Sequence, residues 1–179
     1  ADYLARLQGL GISTAHVRQV SSTYTAQAMI MTDRDNNQIT AFHPGAMSQS
    51  HQLKVADAGK VQVALIAPDG RDGMLQHARE FREAGIPFIF DPGQGLPMFG
   101  GPELLDFVEK ATWVAVNDYE GEMLRERTGL SLEEISKRVK ALVVTRGAKG
   151  SVIYVDGKTM EIPTAPVSLL SDPTGCGDA

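Results

Sequence analysis

One cysteine, Cys176, is present in 179 residues, so no intramolecular disulfide can staple the chain, which fits a reducing compartment. No apolar stretch approaches the ~20 residues of a membrane-spanning helix, and no basic-then-apolar stretch opens the sequence. Excess positive charge is also missing. Lys and Arg number 17 against 22 Asp and Glu, a net charge of −5, which argues against a surface that grips nucleic acid through bulk electrostatics. Histidine is scarce, and His16, His43, His51 and His77 lack metal-ligand spacing. These absences set aside membrane, secretory and disulfide-scaffold classes and leave a cytoplasmic protein with a small-molecule partner as the expectation. What is present is ordinary for a globular chain, with 42% hydrophobic and 22% charged residues. The length suits about one domain. Glycine alone is abundant, at 18 residues.

The two ends are informative. Leu4, Leu7 and Leu10 have helical spacing directly after Ala1, and Gly9 and Gly11 stand where such a helix stops. The last residues form a glycine-rich turn that looks like the start of a helix, yet Ala179 follows at once. A helix of one or two residues does not nucleate. The expectation is an internal piece of a longer protein, incomplete at both ends.

Two kinds of organisation follow one another. Thr25 to Thr32 and Gln38 to Phe42 read as strands joined by the polar cluster Asp33 to Asn37, an antiparallel hairpin. Residues 17–47 are therefore expected to form an inserted β lid, with 1–16 and 48–179 as the α/β core. From Lys60 strands and helices alternate: a strand over Lys60 to Ala67, a helix over Asp72 to Ala84, a strand at Phe88 to Phe90, a helix over Pro102 to Lys110 and a strand at Trp113 to Val116. A helix to about Arg127, a short helix capped by Ser131 and Glu134, and a strand at Leu142 to Thr145 come next. Ser151 to Val155 and Thr159 to Ile162 then pair across Asp156-Gly157. Repeated strand-helix units with apolar strands predict a mostly parallel sheet with helices on both faces.

In open α/β sheets ligands bind beyond the carboxyl ends of the strands. Here those ends carry Asp91-Pro92-Gly93, Asn117-Asp118-Tyr119-Glu120 and Thr145-Arg146-Gly147. A further segment, Asp172-Pro173-Thr174-Gly175-Cys176-Gly177-Asp178, enters the presumed last helix. Small residues at a helix start leave backbone N–H groups free for an anion. A carboxylate beside them, Asp178, makes sense if it accepts a proton from a hydroxyl that attacks the anion. That is the arrangement of phosphoryl transfer.

Together these segments resemble the ribokinase-like (PfkB) carbohydrate and nucleoside kinases. Asp172 to Asp178 is similar to their D-T-x-G-A-G-D signature, Asn117 to Glu120 to N-x-x-E, and Val144 to Gly150 to V-T-x-G-x-x-G, in the family's order. Cysteine in place of the usual alanine and proline after the first aspartate are small departures. The resemblance implies Asp178 as general base and Gly175, Cys176 and Gly177 as anion hole. It implies ATP contacts from Asn117, Thr145, Gly147 and Gly150. Glu120 and Asn117 would organise Mg²⁺ through waters, and Asp172 and Thr174 would lie near a monovalent cation such as K⁺. The lid, through His43-Pro44-Gly45-Ala46-Met47, is similar to that of bacterial adenosine kinases of the family. Phe42 is then a candidate to stack on a purine, and the lid strands are candidates for a homodimer interface.

Plainer readings stand beside these. Asn117 suits a helix cap and Glu120 a solvated helix residue, Asp178 a dipole-favoured acid, Asp91-Pro92 a turn, and Phe42 lid packing. Cys176 has no histidine near it in sequence and suits a small-residue position better than a nucleophile. Gly157-Lys158-Thr159 imitates the end of a Walker loop, but Val152 stands where its first glycine belongs. No strand is followed by the Gly-x-Gly-x-x-Gly fingerprint of dinucleotide oxidoreductases. The expected function is ATP-dependent phosphorylation of a primary hydroxyl of a nucleoside, adenosine foremost. A sugar kinase acting on ribose or a related sugar is the alternative. An inactive nucleotide-binding fragment or regulatory module is the alternative from another class, and the 179 residues alone are not expected to turn over.

Overall fold

The computed structural model describes residues 2–34, 38–166 and 175. Its elements run α1 (Asp2–Gly9), β1 (Gln27–Thr32), β2 (Gln38–His43), β3 (Ala64–Ile66), α2 (Arg71–Glu83), β4 (Phe88–Phe90), α3 (Gly101–Lys110), β5 (Trp113–Asn117), α4 (Asp118–Thr128), α5 (Leu132–Ser136), β6 (Ala141–Thr145), β7 (Ser151–Val155) and β8 (Lys158–Ile162). Strands β3 to β8 form one sheet in sequence order. The β3–β4, β4–β5 and β5–β6 pairs are parallel, each joined through at least one helix, as a parallel connection requires. The β6–β7 and β7–β8 pairs are antiparallel because only short turns separate them. Asp156 and Gly157 both have positive φ, 50° and 71°, the twist that a two-residue hairpin loop demands.

The alternation within each strand decides where the core lies. Phe88, Phe90, Val114, Val116, Leu142 and Val144 point to one face and are buried. Against them pack Met74 and Ala78 of α2, Leu104, Phe107 and Val108 of α3, Leu124 of α4 and Ile135 of α5. Phe107 stacks on Phe90 at 4.4 Å between centroids and meets Phe99 edge-on at 5.0 Å. The alternate residues Leu65, Ile89, Trp113, Ala115 and Val143 occupy the other face, which is more open, with Leu65 exposed. Helices α2 to α5 thus cover the first face.

Two strand starts differ from the sequence reading by two residues or more. The expected strand over Lys60 to Ala67 is only β3, Ala64–Ile66. Its partner β4 has three residues between Pro87 and the Asp91-Pro92 turn, so the ladder runs only from Pro87 O, which accepts from Ala64 N–H, to Ile66 O, which accepts from Asp91 N–H. The strand expected from Thr25 begins at Gln27. Before it, Tyr24 O accepts the Ala46 N–H, and Gly45, at φ +48°, sits so close that a Cβ would lie 2.2 Å from the same oxygen. That close crossing replaces strand pairing at the base of the hairpin.

Strands β1 and β2 pair antiparallel from Gln27↔His43 to Thr32↔Gln38 in a sheet of their own. The joining residues Asp35 to Asn37 lie outside the described ones. The hairpin bears exposed apolar side chains, among them Met29, Ile30, Met31 and Ile39. Among the described residues no helix is long and apolar enough to cross a membrane.

Candidate active site

The register of four strands brings distant motif positions into one line. Asn117 pairs laterally with Thr145, Thr145 with Ser151, and Ser151 with Ile162. The row lies at the carboxyl end of the parallel strands β5 and β6, the edge where α/β sheets bind ligands.

Asn117 ends β5 and caps α4. Its Oδ1 accepts the Glu120 N–H at 2.8 Å, and Glu120 Oε2 accepts the Asn117 N–H at 2.8 Å. This reciprocal box satisfies two donors that the first helical turn leaves free and fixes the rotamer of both side chains. The capping reading of Asn117 is what the structure shows, whereas Glu120, read as a solvated helix residue, is half-buried and belongs to the box, with one carboxylate oxygen outside it.

A second box, Ser131 with Glu134, isolates what is special about Glu120. Glu134 accepts the Ser131 N–H at 2.8 Å in the open, and those bonds hold its pKa below the ordinary glutamate range. Glu120 makes equivalent bonds, yet its pKa is raised, first by burial and then by the nearby carboxylates of Asp91 and Asp118 working against the Asn117 bonds. Folding thus strengthens proton binding at Glu120. As pH climbs from the ordinary glutamate value of 4.5 through the raised one, the native state holds more proton than the unfolded chain, and Glu120's contribution to stability falls. Glu120→Gln keeps an acceptor for the box and cannot titrate. Denaturant titrations across this interval should show a shallower decline of stability with pH in the variant. An unchanged pH dependence would mean that Glu120 titrates as it does in the unfolded chain.

The other arm of the site is the turn between β6 and β7. Arg146 N–H donates to Gly150 O at 2.7 Å, Lys149 N–H to Arg146 O at 3.1 Å, and Gly150 N–H to Gly147 O at 3.1 Å. Within this closed turn Gly147 is exposed, and a Cβ on it would meet nothing within 4 Å, so space lies open above its backbone.

Of the residues singled out in the sequence, Asn117 and Thr145 stand in the row, with Glu120, Gly147 and Gly150 beside it. Phe42 lies on the separate hairpin, opposite Ala28, and is 54% exposed. Gly175 is exposed with φ +81°, a backbone conformation suited to glycine. Asp172, Thr174, Cys176, Gly177 and Asp178 lie outside the described residues. Sequence reasoning did not find Ser151 and Ile162 as members of the row, nor the influence of Asp91 on Glu120. A strand end at Asp91 was the available signal, but its distance in sequence from Glu120 hides their proximity.

In a mostly parallel α/β sheet, the capped helix and the glycine-bearing turn stand on the carboxyl edge, where such sheets bind ligands. The whole chain, residues 1–179, matches the model of the pfkB family carbohydrate kinases, and the chain belongs to that family. It is 33% identical over 179 residues to a nucleoside kinase of Methanocaldococcus jannaschii, covering all of this chain and 59% of that protein. It superposes on a nucleoside kinase of Burkholderia thailandensis, solved in complex with inosine, at a TM-score of 0.93 and 52% identity. That match covers 99% of this chain and 58% of the other. A ribokinase of Thermotoga maritima, at 21% identity and a TM-score of 0.78, shares the fold over 98% of this chain and 59% of its own. The chain thus spans under three-fifths of the length of these proteins.

Proposed function

We propose that the intact protein is an ATP-dependent kinase that phosphorylates the primary hydroxyl of a purine nucleoside. The observation that carries this reading is the Asn117–Thr145–Ser151–Ile162 row. It aligns the start of N-x-x-E, the T-x-G turn and the strand that leads on in sequence to Gly175-Cys176-Gly177-Asp178. The B. thailandensis kinase has been solved with inosine and with ADP-inosine, which supports a purine nucleoside and an adenine nucleotide here. Adenosine and inosine are thus both candidate acceptors, with adenosine the one that the lid sequence favours.

The proposed roles follow from chemistry. Asp178 takes the proton of the acceptor hydroxyl as its oxygen bonds to the γ-phosphorus of ATP and the bond to the β-γ bridging oxygen breaks, with ADP leaving in line. Backbone N–H groups of Gly175, Cys176 and Gly177 hold the phosphoryl oxygens. Thr145, Gly147 and Gly150 lie along the nucleotide, where the open space above Gly147 admits a phosphate or ribose. Glu120, half-buried beside Asp91 and with one oxygen outside its cap, fits a hard divalent cation. Asn117, whose backbone N–H donates to Glu120 Oε2, orients that carboxylate and adjoins the nucleotide. Bound Mg²⁺ would neutralise charge on the ATP phosphates. Asp172 and Thr174 are the candidates for a K⁺ site, Phe42 for stacking on the base, and the exposed apolar strands β1 and β2 for a homodimer contact.

The substrate is tested by measuring ADP release by the intact protein with adenosine, inosine and ribose. The reading expects kcat/KM for a purine nucleoside to exceed that for ribose by roughly 100-fold or more. A preference for ribose would assign the site to a sugar kinase instead.

A further inference from the structure

The chain that leaves the β1–β2 hairpin is clamped along one helix. Past β2 it forms two short 3₁₀ stretches, Gly45–Gln52 and Val55–Ala58, which lie against α2. Gly73, His77 and Glu80 meet them from one face of α2, at helical spacing. At the start of α2 the approach leaves no room for side chains. A Cβ on Gly70 would collide with Met47 O. One on Gly73 would collide with Ser50 Oγ and lie 2.9 Å from Ser50 Cβ and 3.1 Å from His51 N. The Ser50 hydroxyl can rotate away, but its Cβ and the His51 amide move only with the segment. Farther along α2 the contact turns polar. Glu80 Oε2 accepts the Val55 N–H at 2.8 Å, Lys54 Nζ donates to Gln76 Oε1 at 2.8 Å, and His77 Nε2 lies 2.9 Å from Leu53 O.

The near end of this seam holds both legs of the hairpin. Gly45 follows β2 after Pro44 alone, and the Ala46 N–H donates to Tyr24 O just before β1. We infer that the seam on α2 anchors the β1–β2 hairpin and that Gly73 is its positioning residue. The side chain that Gly73 lacks lets Gly45–Gln52 seat on α2, and the seat fixes the hairpin's pose where Tyr24 and Ala46 join its legs. The consequence for the acceptor rests on the reading above, in which the hairpin brings Phe42 to the base. The pose itself is read without turnover.

In the intact protein, Gly73→Ala should raise the nucleoside KM by about tenfold, as a misplacement of about 1 Å can. Alanine is the better helix former, so the loss cannot come from α2 itself. The Kd of ADP, measured by calorimetry, should stay within about twofold, because Asn117 and Thr145 belong to β5 and β6 while α2 follows β3 at the far edge of the sheet. The methyl resonances of Met29 and Met31 on β1 should shift, and that of Met160 on β8 should not. Ser50→Gly makes room at Gly73 and breaks no hydrogen bond, since Ser50 Oγ is buried without a partner. Added to Gly73→Ala, it should return the nucleoside KM to within about threefold and restore the two methionine signals, a non-additivity that general destabilisation does not produce. Glu80→Ala frees the Val55 N–H at the other end of the seam. It should also raise the nucleoside KM and shift Met29 and Met31, and it decides the matter if Gly73→Ala does not fold. Met29 and Met31 unmoved by either variant, a nucleoside KM unchanged while they move, or equal losses of nucleoside and ADP binding would overturn the assignment. If the unsubstituted protein transfers no phosphoryl group, the kinase reading fails, and the methionine signals still decide on the anchor.

Discussion

Asp178→Asn should lower kcat by about 10²–10⁴-fold, the range that a positioned general base contributes. The substitution keeps size and polarity but removes the carboxylate proposed to accept the hydroxyl proton. The proposed anion hole would use backbone N–H groups of Gly175, Cys176 and Gly177, which the change leaves in place. KM for ATP and nucleoside should therefore stay within a few-fold, and the melting temperature should hardly move. Steady-state kinetics on the intact protein checks this. A loss of only a few-fold would return Asp178 to the plainer reading of an acid favoured by a helix dipole.

Phe107→Ala is expected to have the largest effect on stability, about 3–5 kcal/mol, as for other fully buried aromatic residues. Phe107 is 1% exposed and joins two other rings, stacking on Phe90 at the end of β4 and meeting Phe99 edge-on. Its removal leaves a cavity bounded by sheet and helix that cannot easily collapse. Since domains are commonly stable by about 5–15 kcal/mol, such a loss consumes much of the total. Phe42→Ala, at an exposed position of the hairpin, should change stability by well under 1 kcal/mol. Urea denaturation of the two variants checks the contrast, and equal losses would contradict the placement of the core.

Much of the architecture was legible from local patterns. The apolar run from Trp113 to Val116, the helix over Asp72 to Ala84 and the Asp156-Gly157 turn each specify local structure through side-chain character, period or backbone conformation. The N-x-x-E spacing was legible as a cap at Asn117 and as a cation-directed carboxylate, while the part of Glu120 in a capping box, which calls for the same separation, went unread. The structure supplies the box directly and adds what spacing cannot contain, the burial of Glu120 and its Asp91 neighbour. Lateral register was hidden for the same reason. Nothing in Thr145 or Ile162 alone says that both share a row with Asn117, because hydrophobic alternation fixes a face and not a partner. The shortness of β3 was hidden too, since Val61 and Val63 have strand character but β4 offers them no ladder. The need for glycine at position 150 arises from a carbonyl of another strand, and a turn signal in the sequence carries no trace of it.

The central claim is best tested by the product. The intact protein incubated with ATP, Mg²⁺ and adenosine or inosine, followed by phosphorus NMR and mass spectrometry, should yield one ADP for each nucleoside 5′-monophosphate. Release of inorganic phosphate alone, phosphorylation at a secondary hydroxyl, or no consumption of ATP with either nucleoside would contradict it.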